Sequence, residues 1–238
     1  MSEWWTYSLS DFLLFSPRTY YRLFELYNAA IWPAQVLALA LGLAMLVLLR
    51  RAGVSRGRLI AAILAGCWLW VAIAFHLARY ATINWAAVYF AGAFALEAAL
   101  LIWTGVVRGR LVFGPNSAPA RRIGLSLFVF ALALEPLVGP LLGRSLRQAE
   151  IFGVAPDPTA LATLALLSLA TGRVCWELIV LPAIWCAISG ATLAAMRSAD
   201  AWILPAAAAL VLLLCVRKTM ERRRARSMAV ERESGRLV

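Results

Sequence analysis

The amino-acid sequence predicts an all-α membrane protein, a bundle of seven transmembrane helices preceded by an N-terminal interfacial helix. Hydrophobic residues make up 63% of the 238 residues and charged residues only 15%, whereas soluble domains carry about 25% charged residues. The apolar residues are gathered in long runs without alternation, and a hydrocarbon core about 30 Å thick requires roughly 20 of them per helix. Helices are expected because each satisfies its own backbone polar groups in lipid.

The N-terminal segment, residues 1–28, is aromatic and is interrupted by Pro17, so we expect no span there. Ser16 followed by Pro17 is typical of a helix start. We interpret the segment as an interfacial helix that lies on the outer leaflet or caps the bundle, with a re-entrant plug as the alternative. Apolar residues then recur at i, i+3, i+4 and i+7 and form one helical face. They are Tyr20, Leu23, Phe24 and Tyr27.

Seven apolar runs follow within residues 29–216, which we assign to the transmembrane domain. The fifth run has about 14 residues, which is short for a span. Asp157 before Pro158 predicts its N-cap and first position, and its small residues predict an internal helix. The runs are Ala29–Leu49, Leu59–Ala78, Trp85–Val107, Ile123–Leu142, Pro158–Thr171, Val174–Met196 and Ala201–Val216.

The basic residues predict the orientation. The net charge is +11, and if all seven runs span, most of the charge falls on one side: in residues 50–58 and 108–122, at Arg173 and in the tail, residues 217–238. The positive-inside rule then places the N-terminus outside and the C-terminus in the cytoplasm. We expect the tail to attract anionic lipids. No nucleic-acid partner is expected, because no aromatic or glycine-rich motif interleaves with its arginines.

Ionisable residues at membrane depth are costly and therefore mark candidate sites. At 1.5 Å per residue, Glu97 and Glu135 each lie about 18 Å from a helix end, close to the membrane midplane. Glu135 precedes Pro136, and a carboxylate beside an interrupted backbone is typical of ion sites. We interpret the two acids as a proton or cation relay. The alternative is that each is protonated and bonded to a neighbouring helix. Glu177, near a helix end, is expected to face water or pair with Arg173.

An outer vestibule is predicted near the outer end of the second helix. His76 and Arg79 are three residues apart and would share a helix face. Such a cluster could bind an anion or a polar head group, with Arg144 and Arg147 contributing from the same side. The alternatives are that Arg79 snorkels outward and that capping alone explains Asp157. The candidates are His76, Arg79, Tyr80, Asn84 and Asp157.

Several classes of site are disfavoured by residue content. The single His76 excludes bis-histidine haem and histidine-rich metal sites, and the only lysine, Lys218, leaves no retinal Schiff base at mid-membrane. The sequence has no P-loop, HExxH, GxSxG or glycine-rich dinucleotide motif. We therefore expect no metal and no cofactor.

Three segments carry a resemblance to a known family: WWTYSLSDFLLFSPRTYYRLFELYN, FHLARYATINWAAVYF and IFGVAPDPTALATL. The chain resembles an uncharacterised family of bacterial polytopic membrane proteins, labelled as a domain of unknown function, over most of its length up to about Arg217. The resemblance implies a helical protein of the bacterial inner membrane and supplies no substrate or catalytic residue. Its motif residues include Tyr20, Tyr21, His76, Arg79, Tyr80, Asn84, Trp85, Asp157 and Pro158.

Three functions remain open from the sequence. The first is a small transporter or permease with a polar pathway through Glu97 and Glu135. The second is a structural or assembly subunit of a membrane complex, with the basic tail docking a membrane protein partner or a second copy. The third, an intramembrane enzyme acting on lipid or quinone, has the least support because no nucleophile and base form an evident pair.

Overall fold

A computed structural model describes residues 14–114 and 119–234 of the chain. All regular secondary structure in this part is helical, which confirms the predicted all-α class. Three π-helical segments extend the α-helices: π1 (Val71–Leu77), π2 (Leu101–Val107) and π3 (Phe130–Leu134). The α-helices are α1 (Pro17–Ala30), α2 (Ala34–Leu48), α3 (Val54–Trp70), α4 (Ala87–Leu100), α5 (Pro119–Val129), α6 (Glu135–Leu141), α7 (Pro156–Leu169), α8 (Val180–Ala195) and α9 (Ile203–Ser234).

The first helix begins where the sequence predicts. The Ser16 hydroxyl accepts a hydrogen bond from the Thr19 N–H at 3.2 Å, and Pro17 takes the first helical position. The predicted apolar face is buried, and the rings of Phe24 and Tyr27 lie 5.0 and 5.3 Å from that of Phe75. α1 therefore caps one end of the bundle, and α2 leaves it at an angle of 87°.

Five helices in the described residues are long and apolar enough to cross a membrane, and a sixth span results if bent α1 and α2 count as one. The predicted count of seven is not confirmed, because α2 has only 15 residues and α7 only 14. α9 continues through the predicted tail boundary at residue 217. The five are Val54–Thr82, Ala87–Val107, Ala120–Leu141, Trp176–Ala195 and Ile203–Met228.

The short helix α7 lies at the centre of the molecule. All its residues from Pro156 to Leu167 are buried, and it packs against α3, α5, α8 and α9. This agrees with the internal helix expected for the fifth run. The predicted N-cap is wrong: α7 begins at Pro156 and is capped by the backbone of Ala155, so Asp157 lies inside the first turn.

Contacts between connections define the two ends of the bundle. At the α1 end, Asn28 on α1 donates to the carbonyl of Ala149 at 2.8 Å. At the opposite end, called the tail end, Lys218 donates to the carbonyl of Ala170. Glu177 also lies at the tail end, where it pairs with Arg110 at 2.7 Å instead of the expected Arg173.

Candidate functional site

Four carboxyl groups line one narrow cleft at the α1 end, which we call the acidic cleft. They are Glu135, Glu150, Asp157 and Asp200, with Arg144 as the one basic residue in the wall. The cavity measures about 40 Å³, which leaves room for a few water molecules at most. Acids from four separate segments therefore converge on a space the size of a small ion.

Glu135 enters the cleft at an irregular point of the backbone. It follows π3 directly and opens α6, with Pro136 at the next position. Because proline has no N–H, it cannot continue the regular hydrogen-bond ladder, and π-turns recur at functional sites. The predicted interruption beside Glu135 is thus present, and it takes the form of a widened turn.

Arg144 and Asp200 form an ion pair in the cleft wall, with side chains only 18% and 10% exposed. Arg144 also donates to the hydroxyl of Tyr21 at 2.7 Å. The second oxygen of Asp200 accepts from Ser198 at 2.5 Å, and that hydroxyl lies 3.2 Å from Tyr21. These four residues close a ring of hydrogen bonds that neutralises Asp200 and ties α1 to the turn before α9.

Asp157 is satisfied without a cation. Its two oxygens accept from the Trp185 ring N–H at 2.7 Å and from the Ser189 hydroxyl at 2.5 Å, both on α8. The side chain is 2% exposed. Its local role is therefore to join α7 to α8 next to the cleft, in place of the predicted cap.

Glu135 and Glu150 differ from the other two acids. Each has one buried carboxyl oxygen, Oε2, with no hydrogen-bond partner in the described residues. Burial raises the pKa of Glu150 well above its ordinary value, and the nearby carboxyl groups of Asp157 and Glu135 raise it further. Glu150 therefore favours its protonated form more strongly than a glutamate in water does.

The charges of the acidic cleft do not balance when every acid is ionised, because Arg144 is the one cation among its lining residues and is paired with Asp200. Unpaired carboxylates in a shielded site are neutralised by protons or by a bound cation. Within residues 14–114 and 119–234, no three His, Cys, Asp or Glu side chains converge as metal ligands would. With its charges unbalanced, the cleft is suited to take up protons or a small cation.

Glu97 lies apart from this cleft. It is completely buried on α4, and neither carboxyl oxygen has a partner in the described part of the chain. The acidic cleft does not include Glu97 among its lining residues. The structure thus does not bring Glu97 and Glu135 into one cavity.

His76 is buried among aromatic rings. It is 0% exposed, its two ring nitrogens have no partner among the described residues, and the rings of Phe94 and Trp185 lie 4.5 and 5.0 Å away. Tyr80 is also buried, 6.0 Å from His76 by ring centroids. These two predicted vestibule residues belong to an aromatic core.

Arg79 lies outside that core, whereas Asn84 meets it through a side-chain hydrogen bond with Tyr80. Arg79 is exposed, because the wide turns of π1 and the end of the helix at Leu77 remove it from the face that carries His76. Asn84 accepts a hydrogen bond from the Ala86 N–H at 3.0 Å, which fixes the turn before α4. The structure therefore brings His76, Tyr80 and Asn84 into contact through Tyr80, and it leaves Arg79 exposed beside them in the chain.

Sequence reasoning missed Glu150 and Asp200 as site residues, because both fall in connections where acids are ordinary. It named Arg144 only for the vestibule. One signal was present in the sequence: Arg144, Glu150 and Asp157 crowd into a single short connection beside Glu135. Asp200 is brought in only by tertiary folding.

The chain belongs to a family of unknown function (DUF6064), whose model matches residues 18–226. This confirms the resemblance to an uncharacterised family. No curated protein and no solved structure matches the chain significantly.

Proposed function

We propose that this member of a family of unknown function is a small permease-like membrane protein that takes up protons at the acidic cleft. The observation that carries the proposal is the pair of shielded, unpartnered carboxyl oxygens of Glu135 and Glu150 in one cavity. A small monovalent cation is the alternative occupant of the same position.

The cost of burying charge favours proton exchange by Glu135 and Glu150 over a purely structural role for these acids. An unpaired charge in a shielded site costs several kcal/mol, so ionisation of either acid requires a replacement positive charge. The volume of about 40 Å³ admits water or a small ion and excludes an organic substrate. The cleft is therefore proposed as the coupling-ion site and not as the substrate site.

The Arg144–Asp200 pair determines which acids of the cleft take up protons. Because Arg144 is held by Asp200 and Tyr21, its charge lowers the pKa of Glu150 less than burial and the neighbouring acids raise it. Movement of Arg144 towards Glu150 would expel a bound proton. The pair is accordingly proposed as the element through which α1 controls the site.

Aromatic residues lie between the acidic cleft and Glu97, and because a phenyl ring carries no proton, a relay that includes Glu97 would require water beside them. Asp157 accepts from Trp185, whose ring lies 5.0 Å from that of Phe94, and Phe94 precedes Glu97 by three residues on α4. Trp185 is therefore the residue that would separate Glu97 from the acidic cleft.

We propose a bacterial inner-membrane location with seven crossings, the α1 end outside and the tail end in the cytoplasm. The alternation of the connections supports this topology. Residues 143–155 and 198–200 meet near α1, whereas residues 110–112, 170–171 and 177 meet near Lys218. In this arrangement α7 crosses inside a sheath of longer helices, and the basic tail faces anionic lipids.

Proton uptake into proteoliposomes, followed with a pH-sensitive dye under an imposed potential, tests the proposal. We expect Glu135→Gln and Glu150→Gln to abolish most of the uptake. Glu177→Gln is the matched control, because that acid is ion-paired at the tail end and should leave uptake unchanged. Equal uptake by Glu135→Gln and the unaltered protein would refute the proposal.

A subunit of a membrane complex is the second candidate. It is favoured by α9, which extends to Ser234 and whose side chains from Glu221 to Met228 are exposed. A basic helix of this kind suits docking to a partner. Purification from native membranes distinguishes the two, since a stoichiometric partner lost on removal of residues 221–238, together with absent proton uptake, supports the subunit.

A further inference from the structure

A second cleft at the α1 end differs from the acidic cleft in charge and size. We call it the basic cleft, because three arginines line it: Arg18 and Arg22 on α1 and Arg79 at the end of the α3–π1 helix. Its volume is about 750 Å³, in the range of ligand sites. We propose that the basic cleft binds the phosphate headgroup of an anionic phospholipid.

Among the described residues that line it, the basic cleft carries three arginines and one acid, so its charge is positive. Arg22 pairs with Glu25, also in the wall, at 2.8 Å. Arg18 and Arg79 have no carboxylate partner among the described residues, and both are exposed. Guanidinium groups bind phosphate oxygens through paired hydrogen bonds. The cleft therefore offers two phosphate-binding groups, one on α1 and one near the end of the α3–π1 helix, that have no carboxylate partner among the described residues.

The depth of the cleft matches that of a lipid headgroup. Arg79 lies three residues before the end of the apolar helix Val54–Thr82, where a membrane-spanning helix meets the headgroups. Below it on the same helix, Ile73 and Leu77 are 54% and 47% exposed. The helix that carries Arg79 therefore presents exposed apolar side chains to lipid at positions before the headgroup level.

The lining favours an amphiphile over a free anion. Leu23, Leu26, Ala78 and Ile83 share the walls with the arginines, and Leu26 is 51% exposed. Inorganic phosphate would fill only a small part of the cleft and would leave these apolar side chains exposed to water. A phospholipid would place its phosphate near Arg18 and Arg79 and its apolar part against Leu23, Leu26 and Ile83.

The test is native mass spectrometry of detergent-solubilised full-length protein titrated with phosphatidylglycerol, phosphatidylcholine or inorganic phosphate. The triple variant Arg18→Gln/Arg22→Gln/Arg79→Gln removes the positive walls. At about fivefold per arginine near an anionic headgroup, its affinity for phosphatidylglycerol should fall by about 100-fold. Phosphatidylcholine, which is net neutral, should bind weakly to both proteins.

The matched control is Arg50→Gln/Arg51→Gln/Arg58→Gln, which removes three exposed arginines far along the chain from the cleft. It should bind phosphatidylglycerol like the unaltered protein. Equal loss in both triple variants would show a non-specific charge effect and overturn the proposal. Displacement of phosphatidylglycerol by inorganic phosphate at equal concentration would overturn it too, since the site would then be one for free anions. Thermal unfolding of each variant confirms that the fold is retained.

Discussion

Removal of the Arg144 charge should destabilise the fold measurably, because Asp200 would remain shielded with only Ser198 as a donor. Loss of one partner of a buried ion pair costs about 3–5 kcal/mol, whereas exposed pairs contribute about 0–1 kcal/mol. With side chains 18% and 10% exposed, Arg144→Gln is expected to cost about 2–3 kcal/mol. For a chain of this length, that lowers the Tm by about 4–12 °C.

The assay is a double-mutant cycle followed by intrinsic tryptophan fluorescence during heating in detergent. Asp200→Asn alone should also destabilise, and the double variant Arg144→Gln/Asp200→Asn should recover about 1–2 kcal/mol relative to the sum of the singles. Arg110→Gln provides the control. Its pair with Glu177 is 39% and 36% exposed, so the loss should not exceed about 1 kcal/mol.

Two results would refute this reasoning. Additive losses in the double variant would mean that Arg144 and Asp200 do not interact in the folded protein. A loss for Arg110→Gln equal to that for Arg144→Gln would mean that shielding does not set the strength of these pairs.

Three further predictions concern the same fold. Because the pKa of Glu150 is raised in the folded state, stability should fall as pH rises above the ordinary glutamate range near about 4.3. Glu150→Gln should remove that slope and raise the Tm at pH 7–8 but not at pH 4; identical pH profiles would contradict the assignment. Gly57→Ala should abolish folded protein in size-exclusion chromatography, since its Cβ would lie 1.7 Å from a backbone oxygen, whereas Gly66→Ala, with open space at its Cβ, should elute normally. Ser189→Ala should cost about 1–3 kcal/mol in thermal unfolding by leaving an oxygen of Asp157 without a donor; an unchanged Tm would show that Ser189 does not serve Asp157.

Local signals in the sequence predicted the features that depend on neighbouring residues. Ser16 and Pro17 mark the start of α1, and its buried face follows from helical spacing. The interior position of α7 follows from its many alanine, threonine and serine residues. In each case the pattern and the structure involve the same few residues, so no knowledge of distant packing is needed.

The errors arise where tertiary contacts or irregular backbone decide the outcome. Helical spacing placed His76 and Arg79 together, but π1 widens the turns and turns only His76 inward. The sequence predicted Asp157 as the N-cap of α7, but in the structure Pro156 occupies the first helical position. Asp200 reaches the acidic cleft from a turn far along the chain, and no local pattern in the sequence reports that approach.

The central position of α7 constrains how the protein is made. Its 14 residues extend about 21 Å, less than the roughly 30 Å of a bilayer core. The helices that pack against α7 include α8 and α9, which are synthesised after it. α7 therefore remains incompletely buried until the C-terminal helices are synthesised. A chain cut between α7 and α8 should therefore leave α7 uncovered on the sides that α8 and α9 occupy, so the fold is complete only once α9 has been synthesised.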